Sequence, residues 1–370
     1  MKLGSVPETV AVALSRTAKL SRLSGLIAEE QGARLRYVHF LFSPEVNALF
    51  GWDDASTGPG PWAKAQARDY TEVDLIRESD AWLQAQGLRA LGQFWVPDLR
   101  GLFDSEFLVP HLIAWARSQN ITKVSTGHRA RVLAEGDSEP SLWRSRDVEH
   151  DQSAWLAHAT RKRFASLFLP LGYLKLSELS KLAVKHSIAA EGEPIADENS
   201  RLADFEKLRS LIDTKSLSRV KQKGYVIDES QQVLAEHAGL INFYPGAHKN
   251  LEAIKGVPAT SVVVGCDLSK QWLVVAPADK FLSSSSCLTS RVEWCVAKPA
   301  LFGPVDHLEI EFGFKDPMRL TVRAEMQTDS MLRLSRASES ATLPFAAGRR
   351  VTLYRASQCL GAALVLESYR

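Results

Sequence analysis

Apolar positions along this chain follow two periods, and the change between them divides it. Val10 to Leu14 is a short apolar run, after which Ala18, Leu23, Leu26 and Ile27 recur at helical spacing. The pattern predicts a buried parallel strand, a tight turn over Ser15 to Thr17, and a helix that Gly32 ends. Arg34 to Phe42 reads as a second strand, and Ser43 to Ala67, with Gly51, Gly58, Pro59, Gly60 and Pro61, as a loop. Thr71 and Asp74 have the spacing of a capping box, opening a helix through Ile76 and Leu83 that stops at Gly87. Leu88 to Val96 then returns as a strand. Asp104 or Ser105 caps a further helix to Asn120, and Ile121 to Ser125 is a strand leading into Thr126-Gly127-His128. Strands alternating with helices at this spacing predict an α/β fold with a doubly wound parallel sheet. Arg129 to His150 reads as a charged loop, and helices are expected over 151–163, 176–186 and 203–212.

From Gly224 the period shortens. Tyr225–Asp228, Val262–Cys266, Trp272–Ala276, Arg291–Val296, Leu308–Phe314, Leu320–Ala324 and Arg349–Tyr354 are short runs separated by Gly, Pro and Asp. They predict a small antiparallel module followed by a β-barrel. Ser283 to Ser286 reads as a turn. The expected division is 1–205, 206–258 and 259–370.

A chain of 370 residues is long enough for two or three domains with sizeable cores. No apolar run approaches membrane-spanning length and the first residues lack the apolar stretch of a signal peptide, so a cytoplasmic protein away from membranes is expected. A net charge of +2 confines nucleic-acid binding to local patches. The four cysteines, Cys266, Cys287, Cys295 and Cys359, have neither zinc-type spacing nor the pattern of a disulfide framework. None falls in the first 265 residues, which excludes a nucleophilic or persulfide-carrying thiol from that part of the chain.

The first turn is where open α/β sheets bind phosphate, and glycines normally let the backbone N–H groups approach the anion. Here it carries Arg16 and Thr17, whose Cβ atoms oppose such a nest, while Arg16, Lys19 and Arg22 keep positive charge at the helix start.

Several segments together resemble the tRNA-specific 2-thiouridylase family. His237-Ala-Gly-Leu-Ile-Asn-Phe-Tyr-Pro-Gly-Ala-His-Lys-Asn-Leu251 is similar to that family's H-x-G-x-x-x-Y-T-I-G-Q-R-K-G-L. Thr126-Gly127-His128-Arg129-Ala130-Arg131 is similar to its T-G-H-Y-A-R, and Asp151-Gln152-Ser153 with Pro170-Leu171-Gly172 to its D-Q-S and P-L-G. Pro344 to Val365 looks like its final barrel hairpin. The resemblance implies a PP-loop adenine-nucleotide domain, a central β module and a C-terminal barrel. It further implies ATP with magnesium, a tRNA substrate, and two cysteines that deliver sulfur to the wobble uridine.

Position by position, that machinery is altered. The family's S-G-G-x-D-S-S falls on Ser15, Arg16, Thr17, Ala18, Lys19, Leu20 and Ser21, without either glycine or the aspartate. The two cysteine positions fall near Phe103 and Asp204. A catalytically inactive relative is therefore expected, binding tRNA or another RNA or acting as a regulator, beside an active paralogue or a sulfur-relay protein. Gly127, His128, Arg129, Asp151, Gln152, Ser153, His248 and Lys249 are the candidate crevice and RNA contacts, and Arg144, Arg146, Arg161, Lys162 and Arg163 with Trp143 and Trp155 form a basic, aromatic surround. Glu311, where the family writes a basic strand, and Ala247-His248-Lys249, in place of Q-R-K, weaken two tRNA-facing positive positions. Two further readings keep the fold: a protein-interaction scaffold without RNA, and a nucleotide-dependent enzyme rerouted through Arg16, Lys19, His128 and Asp151. No cofactor or metal follows from the residues themselves.

Overall fold

The structure, a computed structural model, describes residues 7–14, 19–52, 60–95, 98–134, 139–195, 205–278, 285–296, 306–312, 318–328, 331–337 and 349–369. Strands β1 (Thr9–Ala13), β2 (Arg34–Leu41), β3 (Tyr70–Asp74) and β4 (Lys123–Ser125) form a parallel sheet in the order β3-β2-β1-β4, and a parallel bridge from Val124 to Leu167 continues it. Because β1 is central, its alternate side chains enter different cores: Val10 and Val12 pack with Ala28 and Tyr37, while Ala11 and Ala13 join the largest core with Leu83 and Leu112. Helix α1 (Lys19–Glu30) returns from β1, as the sequence predicts, and Gly32 follows it at φ +98°.

The loop expected over 43–67 instead holds α2 (Pro44–Phe50), whose cap is Ser43 accepting from Val46 N, and α3 (Gly60–Ala65). Thr71 lies within β3, and Asp74 alone accepts from Ile76 N at the start of α4 (Ile76–Gln93). That helix runs through Gly87 and leaves no strand over its last turns. Gly87 is a packing residue: a Cβ there would lie 2.3 Å from Ile212 Cδ1, and the turn comes at Phe94 with φ +58°. The next helix begins at α5 (Leu99–Leu102) under Asp98, not at Asp104, and passes through a π-helical stretch, Phe103–Leu108, into α6 (Val109–Ser118).

Residues 129–150 are not a loop. Strands β5 (Ala130–Leu133) and β6 (Ser141–Arg144) form a hairpin there. The helix expected over 151–163 is two single turns, α7 (Ser153–Leu156) and α8 (Arg161–Phe164), followed by α9 (Leu176–Lys185) and α10 (Phe205–Leu211).

Strands β7 (Gly224–Ile227) and β8 (Val233–His237), short helix α11 (Lys249–Glu252), then β9 (Ser261–Asp267) and β10 (Trp272–Pro277) build a sheet in the order β8-β7-β10-β9. It is mixed rather than antiparallel, since β7 and β10 run parallel, and it extends past residue 258 to Pro277. Strands β11 (Ser286–Arg291), β12 (Glu293–Trp294), β13 (Asp306–Phe312), β14 (Met318–Met326), β15 (Met331–Arg336), β16 (Arg350–Arg355) and β17 (Gln358–Tyr369) follow. Six of them close antiparallel as β11-β15-β14-β13-β16-β17 and back to β11, around Leu308, Ile310, Val322, Leu334 and Val351. Ser286 opens a strand rather than completing a turn.

Barrel and parallel-sheet domain share a core. Tyr354, Cys295, Cys359 and Ala362 belong to the same cluster as Phe103, Leu112 and Leu142, and Trp143 of β6 pairs with Gln358 of β17.

Candidate functional site

At the carboxyl ends of β1, β2 and β4 a cavity of about 330 Å³ opens, where a doubly wound sheet offers its crevice. Leu14, Phe40, Phe42, Trp52, Leu108 and Trp155 give it apolar and aromatic walls, and His39, Asn47, Arg100, Thr126, His128 and Gln152 bring polarity. No carboxylate, thiol or lysine is among the described residues lining it.

The loop after β4 is fixed by close approach to α1. Ser24 Oγ and Ser125 Oγ lie 2.6 Å apart, and Gly127 adopts φ +78° with Ser21 Cα only 2.8 Å from where a Cβ would stand. Glycine is required there on both counts. Held by that turn, His128 makes two contacts: Nδ1 with Thr126 Oγ1 at 2.6 Å and Nε2 with Asp104 Oδ2 at 3.1 Å. Asp104 is fully buried, and Arg100 Nε donates to the same oxygen at 2.7 Å. Burial opposes ionisation of Asp104, but the Arg100 guanidinium and the His128 hydrogen bond outweigh it and hold the carboxyl below its ordinary range. Arg100 in turn lies 5.1 Å from the Trp52 ring centre and 5.2 Å from that of Trp155.

The sequence candidates divide. Gly127, His128, Arg129, Gln152 and Ser21 line the cavity. Gln152 Oε1 accepts from Arg129 N at 2.9 Å, and Gln152 N donates to Arg129 O, so the two loops are clamped together. Asp151 and Ser153 belong elsewhere. Asp151 accepts from Ser145 N, Ser153 N and Ser153 Oγ, and Ser153 Oγ lies 2.9 Å from Tyr354 Oη of β16. Burial pushes the Asp151 carboxyl up to about 6 against those hydrogen bonds, and Glu311 adds to the rise. This is a seam between domain and barrel.

Arg144 lies in the same seam, 3.6 Å from the Tyr354 ring centre and paired with Glu309 and Glu311. Glu311 is buried and also pairs with Arg319 at 2.9 Å, so its acidity answers two arginines rather than facing a nucleic acid. Arg163 donates to Ser105 O and Arg161 pairs with Glu139, whereas Arg146 and Lys162 are exposed. Ser15, Arg16, Thr17 and Asp204 lie outside the described residues. Lys19 at the start of α1 pairs with Glu193 and donates to Pro194 O. His248 and Lys249 stand at α11 in the mixed-sheet module, away from the cavity lining; His248 is exposed.

The residues that sequence reasoning missed are Arg100, Asp104, Trp52 and Asn47. Only the i,i+4 spacing of Arg100 and Asp104 signalled a pair, and nothing local tied it to His128. The turn that would meet the phosphates of a nucleotide, residues 15–18, lies outside the described residues. Among the described residues Lys19 pairs with Glu193, no carboxylate lines the cavity, and no group of three acidic, histidine or cysteine side chains could hold a metal ion.

Phe103 is wholly buried among Phe42, Phe50, Trp52, Trp82 and Phe107, at ring separations of 5.1 to 5.8 Å. The cysteines all stand in the mixed sheet or the barrel. Cys287, Cys295 and Cys359 are buried, and burial pushes the half-buried Cys266 thiol up to about 12.

A parallel-sheet domain with helices on both faces and its crevice at the strand ends, continued into a mixed sheet and a closed barrel, defines a doubly wound α/β protein with an appended barrel. Residues 106–196 match the family described as tRNA methyl transferase HUP domain. The chain is 27% identical over 186 residues to the tRNA-specific 2-thiouridylase MnmA of Geobacter metallireducens, covering 50% of this chain and 49% of that one. It is 26% identical over 252 residues to the MnmA of Neorickettsia sennetsu, covering 68% and 64%, and 30% identical over 169 residues to that of Acidithiobacillus ferrooxidans, covering 46% and 47%. Over these segments the chain is similar to the tRNA-specific 2-thiouridylases. It spans about half the length of the first curated relatives it matches. Among the described residues no helix is long and apolar enough to cross a membrane.

Proposed function

We propose that this chain is a tRNA-binding relative of the 2-thiouridylases that does not itself transfer sulfur, and that it works in the cytoplasm as a regulator or as the companion of a cysteine-bearing paralogue or sulfur-relay protein. The observation that carries the reading is the content of the sulfur-transfer positions. The first of these positions falls near Phe103, whose ring is packed on five others, and no cysteine occurs before Cys266 at any register of the alignment. A benzyl side chain carries no sulfur, and thiols held in their neutral form by burial are poor nucleophiles. The domain division that goes with this reading is a parallel-sheet unit to residue 205, then a mixed-sheet unit, then the barrel.

Exposed Arg146 and Lys162, near Gln152 in sequence, supply cations for an RNA backbone, and Trp155 supplies a stacking face. The test is twofold. Purified protein incubated with tRNA, ATP, magnesium and a persulfide donor is expected to yield no 2-thiouridine in nucleoside mass spectra, while filter binding shows tRNA affinity that falls steeply with salt. Formation of 2-thiouridine, or no tRNA binding at low salt, overturns the proposal.

A further inference from the structure

Two of the four cysteines meet. Cys295, which follows β12, and Cys359 of β17 are both fully buried, and their Sγ atoms lie 3.9 Å apart. The backbone makes this pairing specific. Cys295 N donates to Leu360 O at 2.8 Å, and the register of β17 against β16 skips Leu360. Leu360 therefore enters the barrel core, while Cys359 turns toward the core shared with the parallel-sheet domain, where Cys295 also lies. Cys295 Sγ donates to Ala157 O of that domain at 3.2 Å and accepts from Cys359 Sγ, so the two sulfurs face each other at the seam. Cys266 and Cys287 pack against other cores.

We propose that Cys295 and Cys359 are an oxidative modification site, at which a hydroperoxide converts two free thiols into one reversible disulfide that staples β12 to β17 and tightens the seam. In the first step one thiol, losing its proton as it attacks, takes an oxygen from the peroxide and becomes a sulfenic acid. The peroxide leaves as an alcohol, or as water when it is hydrogen peroxide. The second thiol then attacks that sulfur, water departs and the S–S bond closes, so the pair has given up two hydrogens and two electrons. Bringing the sulfurs from 3.9 Å to a bonding distance of about 2.05 Å is within the reach of side-chain rotation. Burial holds Cys295 in its thiol form, so the reaction waits for the two-residue strand β12 to open from β17. A reduced resting state that is oxidised only on demand suits a reducing compartment, where lasting disulfides are rare. The proposal stands apart from sulfur transfer and from tRNA binding.

The test uses the whole chain, reduced with dithiothreitol, freed of it, exposed to hydrogen peroxide and mapped by mass spectrometry of its non-reduced peptides. One intramolecular link between Cys295 and Cys359 is expected, with the loss of two hydrogens and reversal by dithiothreitol. The linked residues are 64 positions apart, so the folded-to-unfolded ratio should rise roughly 30- to 800-fold, read from urea unfolding of oxidised against reduced protein. Cys359→Ala is expected to abolish the link and the stabilisation together, and Cys266→Ala to leave both unchanged. The wild-type peptide map decides the matter even where the buried alanine variant fails to fold. The proposal is overturned if both cysteines stay free or pass on to sulfinic acid, if the link involves Cys266, Cys287 or a second chain, or if oxidised protein is no more stable than reduced.

Discussion

Arg350 of β16 reaches across the seam to Asp98, the cap of α5, with Nη1 2.5 Å from Oδ2 and both side chains at most 3% exposed. The same nitrogen donates to Ala154 O at 2.6 Å. Replacing Arg350 by methionine keeps much of the volume and removes the charge, which strands Asp98 in a dry environment. Loss of one partner from a buried pair costs about 3–5 kcal/mol. The carboxyl limits that loss by taking up a proton, because burial already raises it above its ordinary value and Arg350 is the main group opposing the rise. The penalty should therefore grow with pH, by at most about 1.4 kcal/mol per unit. Adding Asp98→Asn to Arg350→Met removes the stranded charge and, since Asn Oδ1 can still accept from Gly101 N, should restore most of the stability; the Ala154 carbonyl would leave about 1–3 kcal/mol unrecovered. Urea unfolding of the four proteins at pH 5.5 and 8 measures these quantities. The reasoning fails if Arg350→Met stays within about 0.5 kcal/mol of wild type, if the double variant is no more stable than the single, or if the penalty shrinks as pH rises.

Other expectations are shorter to state. Asp151 has its native pKa raised to about 6, so the folded state holds its proton longer than the unfolded chain; wild-type stability should drop by about 3 kcal/mol relative to Asp151→Asn as pH rises from about 4 to 6 and then level off, read from parallel urea titrations. Phe103→Ala should cost about 3–5 kcal/mol in the same assay, and Phe103→Cys should not produce 2-thiouridine, since the surrounding rings hold that position away from solvent. Ellman's reagent should find no fast-reacting thiol in the native protein and four after unfolding in guanidinium. Gly87→Ala, ordinarily favourable within a helix, should destabilise instead, because its methyl would meet Ile212; a gain in melting temperature would contradict that packing.

The parallel sheet and the barrel were legible because their signals are local: β1 is an unbroken apolar run and the later strands are short runs between turn residues. Errors came where tertiary contact overrides a local rule. Gly87 reads as a stop, yet Ile212, far along the chain, needs the space of its missing side chain. The hairpin over residues 130–144 reads as charged loop because Arg131 and Arg144 are arginines; Arg131 donates to Arg144 O, and Arg144 finds carboxylates on β13. At the site, the motif around Gly127 and His128 was visible, whereas Asp104 looked like a cap. Its buried role depends on a contact with His128 that spans 24 residues of sequence and leaves no periodic trace.

The hairpin of β5 and β6 is covalently part of the first domain and hydrogen-bonded to the last, with Tyr354 and Cys359 lodged in the first domain's core. Neither end of the protein can be excised along a single cut in the chain. A fragment stopping at residue 205 would carry a ragged sheet edge, and a barrel grafted onto a relative would have to bring residues 130–144 with it. Evolution faces the same constraint as the engineer: recombination that exchanges one piece alone yields a chimera with an open flank.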